Sequence, residues 1–276
     1  MATQADHYDT FLALHQRPGA FVMPNVWDGL SALISKRAGF EALATSSAAF
    51  AATLGRRDGR HSVSATEHLA HAKLIVELSD LPVNGDFEDG YGETPDDVAA
   101  TIESCIGVGL AGVGVEDSSG DPDNPIRDFD DAVARVKAAA DVARGRIVLT
   151  GRTDNFFQGR MDLDDAIRRL TAFAEVGADV LYAPFPPDMA AVEAIVRAVA
   201  PKPVNLVVGT MSERPPASTW AAVGVKRIST GMALYAHLAA TLQKAVTVLS
   251  EGDIAGATNG ITFAELNDLL DSAHRG

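Results

Sequence analysis

Cysteine and long apolar segments are scarce in this chain, and each shortage excludes a class of protein. Cys105 is the only cysteine in 276 residues, so no internal disulfide can form. It lies in a helical pattern at residues 98–106, which favours a small core residue over a nucleophile. No run of about 18 apolar residues occurs, and the first residues lack the basic and apolar parts of a signal peptide. These features predict a cytoplasmic protein without a membrane segment.

Basic residues are also in the minority. The 23 lysines and arginines face 37 aspartates and glutamates, which gives a formal net charge of −14 at pH 7. A charge of this sign disfavours nucleic acids and anionic membranes as partners. It would also repel a small acid at long range. An acidic substrate would therefore have to be bound by a local basic group and a metal ion.

Linker-like sequence is absent as well. The chain has no Pro-rich or Ser-rich stretch, no low-complexity tract and no block of like charges. Hydrophobic residues make up 47% of it, which supplies a large core without a disulfide or zinc. The length suits one (β/α)₈ barrel, which typically has about 250 residues. We therefore predict a single domain over residues 1–276.

Eight apolar, β-rich runs alternate with amphipathic, alanine-rich segments. Such alternation predicts a parallel sheet buried on both faces, and eight units predict an α/β fold of the (β/α)₈ TIM-barrel type. An open doubly wound sheet is the alternative, but it would need a Gly-rich phosphate-binding turn after the first strand. Predicted helix ends coincide with glycines at 39, 109, 177 and 224, as expected of C-terminal caps. The predicted strands are residues 21–26, 42–47, 83–88, 112–117, 147–154, 180–185, 204–210 and 227–232.

Two helices are predicted beyond the eighth strand. The first covers residues 233–250 and is followed by a small polar break at 251–259. The second covers 262–273 and begins with a Thr262–Glu265 capping box. Its apolar stripe consists of Phe263, Leu266, Leu269 and Leu270. A closed barrel does not need this stripe. We expect residues 251–276 to form a C-terminal helical extension that packs on a partner subunit, and packing across its own barrel is the alternative.

Acidic residues cluster where two successive strands should end. Residues 85–92 read Gly-Asp-Phe-Glu-Asp-Gly-Tyr-Gly, and Glu116 and Asp117 follow the next strand. Carboxylates placed together repel one another and are costly to desolvate. In a TIM barrel the C-terminal strand ends form the active site, and oxygen ligands from neighbouring strands are typical of Mg²⁺ or Mn²⁺ sites. A solvated acidic loop is the alternative interpretation.

Two other strand ends carry groups that could bind an anion. Arg152 ends the fifth predicted strand, where its guanidinium could hold a carboxylate or phosphonate through two parallel hydrogen bonds. Its alternative role is a structural ion pair with a strand-end acid. Ser46, Ser47 and Ala48 end the second strand, and small residues there leave backbone N–H groups open to an anion. A plain turn explains them equally well.

These motifs together resemble the isocitrate lyase / phosphoenolpyruvate mutase superfamily. The resemblance extends in order from about residue 18 to residue 270. It implies a barrel whose eighth helix is swapped between subunits of a homo-oligomer, either a dimer or a dimer of dimers (a homotetramer). It also implies Mg²⁺, with Mn²⁺ as the alternative, bound to a small 2-oxo acid or its enolate. The matching segments are residues 45–49, 54–58, 86–92, 115–117 and 151–154.

Position by position, the resemblance implies a metal site. Asp86 would be the direct Mg²⁺ ligand, and Glu88, Glu116 and Asp58 would hold metal-bound waters. Glu88 replaces the more usual aspartate, and its longer side chain can still orient a water. Asp58, Glu116 and Arg152 are the candidate catalytic residues.

The resemblance also implies a substrate site. Ser46 and the N–H groups of Ser47 and Ala48 would bind the C1 carboxylate, and Arg152 would bind the oxo or leaving-group side. Trp27 would lie near the pocket. Asn124 resembles the gate-loop asparagine of the mutase and phosphonopyruvate hydrolase branch, although the lysine-bearing loop of that branch is absent.

One departure from the superfamily bears on the reaction. Isocitrate and methylisocitrate lyases carry Lys-Lys-Cys-Gly-His after the fourth strand, whereas residues 118–125 here read Ser-Ser-Gly-Asp-Pro-Asp-Asn-Pro. Without that cysteine we do not expect isocitrate-type cleavage. His61 is a weak candidate for a base, and a surface-loop histidine is the favoured interpretation of it.

The predicted function is Mg²⁺-dependent C–C cleavage of a small 2-oxo acid through an enolate. Oxaloacetate-type decarboxylation, or a related lyase reaction, fits best because its bond-breaking step needs no protein nucleophile or base. The alternatives are C–P chemistry on phosphonopyruvate, by a hydrolase or mutase, and a non-catalytic 2-oxo-acid-binding protein.

Overall fold

The computed structural model of the protein describes residues 2–59, 61–208 and 215–271. Strands and helices alternate along most of this part. The strands are β1 (Phe21–Met23), β2 (Asn25–Val26), β3 (Leu43–Thr45), β4 (Val83–Asp86), β5 (Gly112–Glu116), β6 (Val148–Arg152), β7 (Val180–Tyr182), β8 (Val204–Val207) and β9 (Arg227–Ser229). The helices are α1 (Gln4–Gln16), α2 (Gly29–Arg37), α3 (Ser47–Thr53), α4 (Ala65–Ser79), α5 (Pro95–Gly107), α6 (Phe129–Ala143), α7 (Leu163–Glu175), α8 (Met189–Val199), α9 (Ala217–Ala222), α10 (Ala233–Ser250), α11 (Ile254–Ala257) and α12 (Phe263–Asp271).

The sheet is parallel throughout and closes on itself. β1 pairs with β9 and β2 pairs with β3, while Pro24 alone separates β1 from β2. A proline has no N–H to donate to a strand ladder, although its carbonyl still accepts from the Ala44 N–H at 2.9 Å. β1 and β2 are thus one interrupted first strand, and the nine segments make eight strands around a barrel. The predicted TIM barrel is confirmed.

The N-terminal helix α1 was not predicted, and it closes the bottom of the barrel. Its Gln4 side chain donates to the carbonyls of Leu110 and Arg146, which precede β5 and β6. Its Phe11 is fully buried, with its ring 6.3 Å from that of Phe21. A Cβ on Gly112 would lie 2.5 Å from the Phe11 ring, so only glycine fits beneath this helix.

Helix ends agree with the prediction, whereas several strands end earlier than predicted. Gly39, Gly109, Gly177 and Gly224 all have positive φ, between 87° and 118°, as C-terminal caps require. The second predicted strand, 42–47, stops at Thr45 because Ser46 is the N-cap of α3. The predicted strand 204–210 stops at Val207, and its last two residues lie outside the described part of the chain.

The C-terminal helices α10 and α12 have no buried residues. On α10, the Leu238, Leu242 and Val246 side chains are about half exposed. α12 reaches α2 through an Arg37–Asp268 ion pair at 2.8 Å, while its Phe263 is 78% exposed. Residues 272 and 273 of the predicted last helix lie outside the described residues. Its packing on a partner subunit stays a prediction. None of the helices described combines the length and apolar character needed to span a bilayer.

Candidate active site

The predicted strand-end groups meet around one cavity at the C-terminal end of the barrel. This cavity has a volume of about 410 Å³ and adjoins a second of about 470 Å³ closer to the surface. The structure therefore brings together acids and an arginine that are up to 94 residues apart in sequence, from Asp58 to Arg152. The predicted residues that line the deeper cavity are Ser46, Ser47, Ala48, Asp58, Asp86, Glu88, Glu116 and Arg152.

Asp86 is held at the end of β4 by the last residue of β3 and the first residue of α3. Its Oδ2 accepts from the Ser47 N–H at 2.9 Å, and its own N–H donates to Thr45 Oγ1 at 2.8 Å. Ser46 Oγ accepts from the Ala49 N–H, as an N-cap does. One predicted anion-binding N–H, that of Ser47, is thus already bonded to the predicted metal ligand. A substrate carboxylate would have to share this first turn of α3 with Asp86.

Arg152 is oriented by one buried acid and faces two others. Its Nε and Nη2 donate to the carboxylate of Asp154, which is fully buried. Its Nη1 lies 2.9 Å from Glu116 Oε2 and 3.7 Å from Asp86 Oδ1. Burial alone would lower the pKa of Arg152, but the charges of Asp154 and Glu116 outweigh it and raise that pKa. The guanidinium is therefore a fixed cation whose Nη1 points at the acids of the cavity.

Three acids around the cavity have raised pKa values. Burial is the largest cause for Asp58, Glu88 and Glu116, and the charge of Asp86 adds to it at Asp58 and Glu116. For Glu116, the charge of Arg152 opposes the increase in pKa. A carboxylate that resists ionisation in this way is stabilised by a nearby cation.

This donor set fits a magnesium ion that keeps most of its water. Mg²⁺ is usually bound through one or two carboxylates and retains several waters. Within the described ranges, no three Asp, Glu, His or Cys side chains are close enough to hold an ion by themselves. Asp86 at the strand end shares one cavity with Asp58, Glu88 and Glu116. Their roles as one direct ligand and three water-holding acids stay a prediction.

Two neighbouring acids form structural ion pairs instead. Asp89 binds Arg127 at 2.6 Å, and Asp117 binds Arg169 at 3.2 Å and accepts from the Asp154 N–H at 2.8 Å. Asp117 does not line either cavity. The two consecutive acidic pairs are Glu88–Asp89 and Glu116–Asp117. In each pair the first residue is predicted to hold a metal-bound water, and the second forms an ion pair that supports the loop.

His61 is more involved in the site than the sequence indicated. It lines the outer cavity, and its Nε2 lies 2.7 Å from Asp89 Oδ1. The hydrogen bond to Asp89 raises the pKa of His61. Its N–H also donates to Glu88 Oε2 at 3.3 Å. The side chain is 43% exposed, so it is neither a free surface group nor a core residue.

Two predicted substrate-binding residues do not line either cavity. Trp27 packs edge-on against Tyr235 at the start of α10, with ring centroids 5.2 Å apart. Asn124 donates to Asp121 Oδ2 at 3.4 Å and lies on a shallower surface pocket beside the loop after β5. Cys105 is fully buried in α5, as predicted, and burial raises the pKa of its thiol.

Other residues of the cavity were missed. Phe157 and Phe185 form an apolar wall, with ring centroids 5.4 Å apart. Polar residues of the barrel interior form the floor, and they are Asn84, Thr150, Asn205, Arg227 and Ser229. The only signal in the sequence was a polar residue within a short apolar strand, and this signal does not tell which side chains face the barrel interior.

A closed parallel barrel with acids and a fixed arginine at its C-terminal mouth is the arrangement of a barrel enzyme. Residues 11–249 match the family described as phosphoenolpyruvate phosphomutase. The chain belongs to this family of enzymes, within the isocitrate lyase / phosphoenolpyruvate mutase superfamily.

Three relatives illustrate the range of the superfamily. A crystal structure of a Burkholderia cenocepacia J2315 protein described as a lyase/mutase is 40% identical, with a TM-score of 0.92 over 96% of this chain and 95% of that one. Oxaloacetate decarboxylase of Rhodopseudomonas palustris is 28% identical over 90% of this chain and 87% of its own. Oxaloacetate acetylhydrolase, solved in complex with oxalate, is 26% identical, with a TM-score of 0.88 over the full length of both chains.

Proposed function

We propose that the protein is a Mg²⁺-dependent carbon–carbon lyase that acts on a small 2-oxo acid through an enolate, as in oxaloacetate decarboxylation. The observation that carries this proposal is the single cavity in which Asp86, Glu116 and Arg152 face one another. Two relatives named for oxaloacetate chemistry support the choice of substrate class.

The substrate would be held by its carboxylate and its oxo group. The first turn of α3, at Ser46 to Ala48, offers hydroxyl and N–H donors to the C1 carboxylate. Arg152 Nη1 is directed into the cavity and would donate to the oxo group at C2. Asp86 would bind Mg²⁺ directly, while Asp58, Glu88 and Glu116 would hold its waters. When bound, the metal supplies electrophilic stabilisation of charge on oxygen.

In the bond-breaking step, the C3–C4 bond of oxaloacetate breaks and C4 leaves as CO₂. The bonding electrons move onto the C2 oxygen and give the enolate of pyruvate. Arg152 stabilises this oxyanion with a hydrogen bond that is stronger in the transition state than in the ground state. A proton from water at C3 then gives pyruvate. No protein nucleophile enters the step. This suits a chain whose only cysteine, Cys105, is buried in α5 and lines neither cavity of the site.

A turnover assay tests the proposal. Oxaloacetate, other 2-oxo dicarboxylates and phosphonopyruvate are incubated with the protein in Mg²⁺ or in EDTA, and products are identified by NMR. We expect pyruvate from oxaloacetate in Mg²⁺ and none above the uncatalysed rate in EDTA. Asp96→Asn, an exposed change on α5, is the matched control for Asp86→Asn. Equal activity of Asp86→Asn and Asp96→Asn would contradict the metal assignment.

C–P chemistry on phosphonopyruvate is the second candidate, and the description of the matched family favours it. The same assay separates the candidates, because phosphate release or phosphoenolpyruvate formation would replace CO₂ release. Binding of 2-oxo acids without turnover of any substrate would indicate a binding protein instead.

We also propose a homo-oligomer in which the C-terminal helices pack on a partner subunit. The half-exposed leucines of α10 and the exposed Phe263 of α12 support it, since burying each such side chain contributes roughly 1.5–3 kcal/mol. Truncation after Asn259 should give monomers or aggregates without activity. An unchanged oligomer by light scattering would instead place α12 on its own barrel.

A further inference from the structure

Arg227, on the floor of the cavity, is a buried cation without an acidic partner. Three arginines in the described part of the chain are at least 97% buried, namely Arg135, Arg169 and Arg227. Arg135 pairs with Asp131 at 3.2 Å, and Arg169 pairs with Asp165 at 2.8 Å. Among the residues described, no carboxylate forms an ion pair with Arg227. A buried charge is costly unless it is paired, so the exception calls for an explanation.

The partners of Arg227 are all neutral. Its Nε donates to Asn205 Oδ1 at 3.0 Å, and its Nη2 donates to Thr150 Oγ1 at 2.9 Å. Its Nη1 has longer contacts of 3.4 Å to Asn84 Oδ1 and to His15 Nε2. Burial lowers the pKa of Arg227 to about 9, so it remains charged at pH 7. A guanidinium has five N–H donors, and the contacts within the described residues leave one on Nη2 for a ligand.

The cavity gives a ligand access to this cation. Arg227, Asn205 and Thr150 line the same 410 Å³ space as Asp86 and Arg152. A TIM-barrel interior is usually filled by side chains, so open space at this level is unusual.

Gly114 explains part of the opening. It lies between Asp86 and Thr150 in the strand register, lines the cavity and is partly exposed although it is in the middle of β5. A Cβ built on it would meet nothing closer than the Gly85 carbonyl oxygen at 3.9 Å. A Cβ at this position would therefore enter the space without a clash, and the glycine leaves that space open.

We propose that Arg227 is the centre of an anion subsite inside the barrel, beneath the strand-end site, and that this subsite takes one carboxylate group. The carboxylate would supply the counter-charge that the protein does not. The ligand is a separate small anion or a substrate carboxylate that stays in the product, because a cation held against the departing carboxylate would oppose loss of CO₂. The inference deepens the proposed function and rests on it for the chemistry at the mouth of the cavity, but the binding itself needs no turnover.

Unreactive acids test the subsite. Succinate and butanoate have the same carbon chain and differ by one carboxylate, and formate represents a free anion. Binding is measured by calorimetry on the full chain and on Arg227→Met, Arg227→Lys and Gly114→Val, with folding checked by circular dichroism. We expect the parent to prefer succinate over butanoate by about tenfold or more. Arg227→Met should abolish the preference, Arg227→Lys should keep part of it, and Gly114→Val should weaken succinate binding.

The source of the anion follows from the same data. A succinate preference assigns the subsite to the substrate. Stabilisation by formate that disappears in Arg227→Met, without a succinate preference, assigns it to a free anion. The proposal is refuted if the parent shows neither a succinate preference nor stabilisation by formate. It is also refuted if folded Arg227→Met binds these anions as the parent does. If Arg227→Met does not fold, unchanged binding of succinate and formate by Gly114→Val refutes the proposal. Failure of the turnover assay alone would refute the proposed reaction and leave the subsite standing.

Discussion

The mouth and the floor of the cavity each hold an arginine, but the two arginines have opposite surroundings. Arg152 at the mouth contacts Asp154, Glu116 and Asp86. Within the described residues, the hydrogen-bond partners of Arg227 on the floor are two amides, a hydroxyl and an imidazole, and none of them is charged. The mouth therefore has an excess of negative charge, which suits a metal cation, while the floor has an excess of positive charge. The barrel thus separates charge along its axis.

The largest expected effect comes from removing the negative charge that should hold the metal. Asp86→Ala should abolish both turnover and Mg²⁺ binding, because the other acids are proposed to reach the ion only through water. Calorimetry measures the affinity. Unchanged Mg²⁺ affinity in Asp86→Ala would mean that Asp86 does not bind the metal. The contrast between a cation-binding mouth and an anion-binding floor would then lose its basis. Glu116→Gln should be milder, since an amide oxygen can still accept from a bound water.

A smaller effect is expected from changing the shape of the cation at the mouth. Arg152→Lys keeps the charge but cannot donate to Asp154 through two parallel bonds, so kcat/KM should fall by more than about tenfold. Equal kcat/KM in the two proteins would make Arg152 structural. The oxyanion would then need another partner.

Near the floor, His15 should make the free energy of unfolding depend on pH, because its ring contacts Arg227. Burial, and then the charge of Arg227, lower the pKa of His15 to about 3, against about 6.5 in the unfolded chain. Between these values the unfolded state takes up a proton that the folded state does not, so stability falls as the pH decreases. At pH 5 the loss from this group is about 2 kcal/mol relative to pH 7.

Urea unfolding at pH 7 and pH 5 measures this loss. His15→Gln should show a shallower pH dependence than the parent, whatever its stability at pH 7. His237→Gln, an exposed change on α10, should leave the dependence unchanged. If the free energy of unfolding changed equally with pH in His15→Gln and in the parent, the folded state would not lower the pKa of His15.

The smallest effect should come from the cysteine, which belongs to neither end of the cavity. Cys105→Ser should keep native activity, and the parent should form no glyoxylate from isocitrate or methylisocitrate. A coupled glyoxylate assay checks this. Enzymatic rates of glyoxylate release would mean that another residue acts as the general acid.

The sequence predicted the mouth well because its groups follow strands directly. Asp86, Glu116 and Arg152 end β4, β5 and β6, so the parallel fold brings them together without further information. Contacts made by loops were less accessible. His61 and Asp89 are 28 residues apart, and no local pattern indicates that they meet.

The floor was missed for a different reason. Arg227 begins a three-residue strand, and the sequence does not show whether an arginine there points into the barrel or into water. The register that aligns it with Phe21 and Asn205 settles this, and register depends on the closed barrel as a whole. Helix α1 was overlooked because its apolar residues are few, although Phe11 is fully buried.

Helix α1 also affects the electrostatic environment of Arg227. By closing the N-terminal end of the barrel with Phe11 and His15, it keeps bulk water away from Arg227, whose guanidinium lies 5.9 Å from the Phe11 ring. A low local dielectric lengthens the reach of a charge. Helix α1 thus lowers the local dielectric around Arg227. The electrostatic attraction of Arg227 for an anion that enters from the C-terminal end therefore depends on α1, although α1 does not contact that anion.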